Sequence, residues 1–91
     1  MRFQAIVTIT LKPGVLDPQG TAVKRALASL GYDRVGEVRV GKHVVVELEA
    51  SDRAEAEAQA REMAWRVLAN PVLETFRTSV EPLEHQAGEA V

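Results

Sequence analysis

Ninety-one residues, 46% of them apolar and 26% charged, fit one small globular domain. The lack of any cysteine excludes disulfides, thiolate metal sites and cysteine nucleophiles, and a formal net charge of −2 argues against nucleic acid as the main partner. No apolar run approaches the roughly 20 residues that cross a bilayer, and the chain enters a strand where a secretory leader would be charged and then apolar, so the expectation is a cytoplasmic protein.

The first strand is read from Phe3, Ala5, Val7, Ile9 and Leu11, which alternate with Arg2, Gln4, Thr8 and Thr10; Ile6 breaks the polar side. A connector with two prolines and two glycines follows, Leu11-Lys12-Pro13-Gly14-Val15-Leu16-Asp17-Pro18-Gln19-Gly20. Proline fixes φ, glycine opens conformations barred to other residues, and Asp17 before Pro18 is a good helix start. So constrained a segment holds a defined surface shape that a partner can read. The helix runs from about Pro18 to Leu30, with Val23, Ala26, Leu27 and Leu30 on one face, and Gly31 ends it.

Val35 to Leu48 reads as a hairpin. Gly36, Val38 and Val40 alternate with Glu37 and Arg39, Gly41-Lys42 supplies the turn, and Val44, Val46 and Leu48 alternate on the return. A second helix spans about Asp52 to Ala69, with Asp52 and Glu55 at capping-box spacing and Ala56, Ala60, Met63, Ala64, Val67 and Leu68 on its buried face. Asn70-Pro71 stops it, and Phe76, Thr78 and Val80 mark a last strand ended by Pro82. The predicted fold is α+β, a two-layer βαββαβ domain over residues 1–82. It has a four-stranded, mainly antiparallel sheet with two helices on one face, and residues 83–91 form a flexible tail.

Two Phe, one Tyr and one Trp leave the core to Val, Leu, Ile and many Ala, so association with other chains would add stability. Ile6 and Val45 make part of the open sheet face apolar, and Trp65 falls off the stripe of its helix. These three are the candidate self-association residues, with packing at the domain edge as the plainer reading of Trp65.

No constellation for chemistry stands out. Gly36 to His43 resembles a phosphate-binding loop until its last position, where His43 replaces the needed hydroxyl, and its surroundings alternate as strand. His43 and His85 have no carboxylate at ligand spacing. Glu47 and Glu49 share a strand face as solvated residues do. The residues alone describe a binding or assembly domain with no catalytic, cofactor-binding or metal residue.

Four segments, in order and at these spacings, resemble the PurS family, the small subunit of phosphoribosylformylglycinamidine (FGAM) synthase. They are the Leu11 to Gly20 connector, Ala26-Leu27 with Leu30-Gly31, Val38-Arg39-Val40-Gly41-Lys42, and Asn70-Pro71-Val72-Leu73-Glu74. The likeness runs from about Phe3 to Val80; the acidic tail after Glu84 is outside it. It implies the two-helix, four-stranded fold and a role in de novo purine synthesis. A small subunit of this kind joins a synthetase and a glutaminase for ATP-driven, glutamine-dependent conversion of FGAR to FGAM. It implies homodimers or homotetramers, catalysis only within the complex, and ATP and Mg on the synthetase partner. Candidate contacts to the larger subunits are Lys12, Pro13, Gly14, Asp17, Gln19 and Gly20 of the connector, with Gly41 and Lys42. A good strand-to-helix turn explains the same connector without any partner. The alternative function, a small-molecule-sensing regulatory dimer, rests on fold analogy alone.

Overall fold

A computed structural model describes residues 1–83. Strand β1 is Arg2–Leu11, helix α1 Pro18–Ser29, strand β2 Lys42–Glu49, helix α2 Arg53–Met63 and strand β3 Glu74–Pro82. The expected tail lies outside the described residues except for Leu83, whose backbone N–H donates to the Arg2 carbonyl at 2.8 Å.

The strands form one antiparallel sheet in the order β2-β1-β3. The central strand sends Phe3, Ala5, Val7 and Ile9 to one face, all buried. Helix α2 closes that face with Ala56, Ala60 and Ala64, four residues apart and therefore on one side of the helix. Alanine there lets the helix lie close to the sheet while Val44, Val46, Leu48 and Phe76 fill the flanks. Asp52 caps α2 by accepting from the Glu55 N–H at 2.8 Å, and Glu55 Oε1 reaches back to the Ser51 N–H at 2.6 Å. The capping spacing is therefore realised, with its return bond one residue before the cap. After Met63 the helix widens into a π-helical turn, Ala64–Leu68, closed by the bond from Ala69 N–H to Ala64 O at 2.9 Å.

Several expectations fail, among them the burial of Val67, which the stripe of the second helix placed in the core and which is 77% exposed. The sheet has three strands, not four, because the segment before β2 joins no ladder. Its polar groups are engaged elsewhere. The Val40 N–H donates to Asp17 Oδ2 at 3.0 Å, and the Arg39 guanidinium donates to the Lys12 and Leu11 carbonyls at 3.2 and 3.4 Å. Gly41 makes no left-handed hairpin turn; a Cβ there would stand 2.1 Å from the Ile9 carbonyl oxygen, so the glycine serves a close backbone approach to β1.

Nor do both helices cover the sheet. Only Gly20 of α1 is buried. Val23 is 41% exposed and Leu30, at its C-terminal end, 74%. The apolar stripe is real but has no sheet beneath it, and α1 stands off as an arm. The radius of gyration is accordingly 16.8 Å, against about 12 Å for a compact chain of this size.

Candidate functional site

The root of the arm is the connector between β1 and α1. Lys12 to Val15 form a β-turn closed by the Val15 N–H on the Lys12 carbonyl at 3.1 Å. Pro13 and Gly14 hold its two central positions, and Gly14 has φ +88°, the proline-then-glycine pattern of a type II turn. The Lys12 N–H donates to the Leu73 carbonyl at 2.8 Å, tying the turn to the entrance of β3.

Asp17 begins α1. Its Oδ1 accepts from the Gly20 N–H at 2.8 Å, a standard helix cap, and its Oδ2 accepts from Val40 N–H across the root. Bonds from Gly20 and Val40, with a smaller contribution from the Arg39 charge, hold its carboxyl below the usual carboxylate range. Gly20 is needed because a Cβ there would lie 2.1 Å from the Val38 carbonyl oxygen. Arg39 completes the root through the Leu11 and Lys12 carbonyls and an ion pair with Glu37 at 3.3 Å.

This geometry sorts the sequence-derived contact residues. Gly14, Asp17 and Gly20 line an open cleft of about 520 Å³ with Lys24 and Arg39. Asp17, Gln19, Gly41 and Lys42 line a smaller groove of about 190 Å³. The two candidate segments therefore meet in space although more than twenty residues separate them. Pro13 is exposed on the turn, and Lys12 is half-buried. Lys42 pairs with Glu74 at 3.8 Å. Asp17 faces inward, is only 9% exposed, and has its carboxylate engaged by the Gly20 and Val40 N–H groups. Arg39 is the residue that sequence reasoning missed. Its place in an apparent strand alternation hid that its guanidinium binds the connector.

Among the self-association candidates, Ile6 and Val45 are directly opposed on the open face of the sheet. Trp65 lies in the helical layer on the other side and is 60% exposed. The three do not form one patch. The stripe of α1, which the sequence reading assigned to the core, is instead exposed at Val23 and Leu30. Glu47 pairs with Arg2 at 2.5 Å as a solvated side chain, and His43 is exposed opposite Thr8. His85 lies outside the described residues. Among the described residues no three His, Cys, Asp or Glu side chains gather as metal ligands, and no helix is long and apolar enough to cross a membrane.

Residues 4–82 match the model of the family described as PurS, phosphoribosylformylglycinamidine (FGAM) synthase. The chain belongs to the PurS family. Phosphoribosylformylglycinamidine synthase subunit PurS of Synechocystis is 46% identical over 82 residues, 90% of this chain and 82% of that protein. The Bacillus subtilis subunit PurS is 42% identical over 84 residues, 92% of this chain and 99% of that one. Among solved structures, Thermus thermophilus PurS superposes with a TM-score of 0.82 at 44% identity, covering 91% of this chain and 99% of that chain. A chain of PurLQS from Thermotoga maritima superposes with a TM-score of 0.80 at 25% identity, covering 89% and 99%. The root and its arm thus belong to a PurS chain matched over nearly its whole length.

Proposed function

We propose that this PurS chain is the non-catalytic small subunit of an FGAM synthase, joining a synthetase and a glutaminase subunit in purine biosynthesis. The family match over residues 4–82 carries the reading. The relatives named as subunits, and the likeness to a chain of PurLQS, support PurL-type and PurQ-type partners. In this reading the chain binds no cofactor itself, ATP and Mg belong to the synthetase, and the complex works in the cytoplasm.

The architecture suits an adaptor. Ammonia released at one site is lost or protonated unless the receiving site is held in register with it, and a rigid third chain raises its effective concentration without chemistry of its own. The root, with Lys12, Pro13, Gly14, Gln19, Gly20, Gly41 and Lys42, is the contact surface for the larger subunits, shaped from within by Asp17. A second copy covers the exposed stripe of α1. The Ile6–Val45 pair offers a further contact between copies, and Trp65 an anchor on the helical layer.

Reconstitution tests the reading. Synthetase and glutaminase with this chain should make FGAM from FGAR, ATP and glutamine, and should fail with glutamine when the chain is omitted while still using added ammonia. Equal glutamine-dependent rates with and without the chain would overturn it.

A further inference from the structure

We infer that Asp17 is a positioning residue, a staple that sets the direction in which the α1 arm leaves the sheet. The arm has no apolar face packed on its own body, so its orientation is decided at the root, where the chain crosses twice, once through the connector and once through residues 38–41. The carboxylate of Asp17 joins these crossings. One oxygen caps α1 through the Gly20 N–H at 2.8 Å, and the other takes the Val40 N–H at 3.0 Å. The absent side chain of Gly20 lets the Val38 carbonyl approach the start of the helix, and Arg39 ties the second crossing to the Lys12 carbonyl at 3.2 Å.

A helix cap alone does not require aspartate, since Ser and Asn cap about as well. What distinguishes the carboxylate is a second acceptor oxygen. Asparagine turns an N–H₂ donor toward either Gly20 or Val40, and serine has one oxygen on too short a stem to serve both. The two variants therefore separate capping from stapling.

The absence of native cysteine makes the test direct. Spin labels are placed on Arg25→Cys of α1 and Ala58→Cys of α2, both exposed, in the full-length chain diluted into unlabelled chain so that only intrachain distances are read. With Asp17 present the distance distribution is narrow. In Asp17→Asn and Asp17→Ser it broadens or shifts, the Val40 amide exchanges at least about 10-fold faster, and the helix signal and the protection of Val44 and Val46 are unchanged. An unchanged distribution with Val40 still protected would overturn the inference. Should the Asp17 variants lose the fold, Val40→Pro removes the donor and keeps the cap, and the distance distribution alone decides: broadened or shifted it supports the staple, unchanged it overturns it. The effect of the staple on assembly rests on the adaptor reading above, but these distances do not. A chain that keeps its staple yet supports no glutamine-dependent synthesis sinks the adaptor alone.

Discussion

Leu30→Ser separates a helix that is part of its own domain from one that serves another chain. Leu30 is 74% exposed in the single chain. Replacing so exposed a residue changes folding stability by no more than about 0.5 kcal/mol. If a second copy covers it, the change removes most of the burial of one leucine. Full burial of such a side chain is worth about 1.5–3 kcal/mol, and the exposed three-quarters gives about 1–2 kcal/mol per chain. In a two-fold symmetric dimer the residue occurs twice, so about 2–4 kcal/mol is lost, a rise of about 30- to 700-fold in the dissociation constant. Sedimentation equilibrium over a concentration series reads this directly, with urea unfolding of the dissociated chain as the control. Unchanged association together with a folding loss of more than about 1 kcal/mol would refute the reasoning, because it would mean that Leu30 packs within its own chain.

Other consequences follow from the root and the core. Gly20→Ala should disturb the start of α1 despite alanine's better helix propensity, since the backbone carbonyl of Val38 must yield; about 1–3 kcal/mol is expected by denaturant unfolding. Phe3→Ala, in the fully buried row of the central strand, should cost about 3–5 kcal/mol in the same assay. Asp17 should titrate below the usual carboxylate range in an NMR pH series. Its folded value is depressed, so its contribution to stability is fully present above the unfolded value and is lost as pH falls through the folded one. Acidification from neutral into the mildly acidic range should leave the staple intact, and a midpoint at or above that of free aspartate would contradict the two-bond geometry.

Much of this was legible in the sequence. Alternation placed β1, and Asp17-Pro18 placed the first helix within a residue of Pro18–Ser29. The Asp52 and Glu55 spacing placed the start of α2, and Asn70-Pro71 marked the end of the helical stretch, although α2 itself ends at Met63 and the last turn is π-helical. Alternation failed at Val38 and Val40 for a physical reason. A period of two reports extended backbone, not the partner of its N–H groups, and here the Val40 N–H is taken by Asp17 and the Arg39 side chain binds the Lys12 carbonyl, both more than twenty residues back in the connector. The stripe of α1 misled in a similar way. A helical period shows which face needs cover, but not whether the cover comes from the same chain. Gly41 looked like a turn because glycine is common in turns, whereas its neighbour Ile9 demands it for space. Within the connector Asp17 points into the root, and Arg39 binds the connector from outside it. These are long-range pairings that local spacing does not encode.

Glutamine-dependent FGAM synthesis, reconstituted from synthetase and glutaminase with the chain added or withheld, tests the central claim most directly. Activity with glutamine should appear only when the chain is present, while ammonia-dependent synthesis proceeds without it. Full glutamine-dependent activity in its absence would contradict the account.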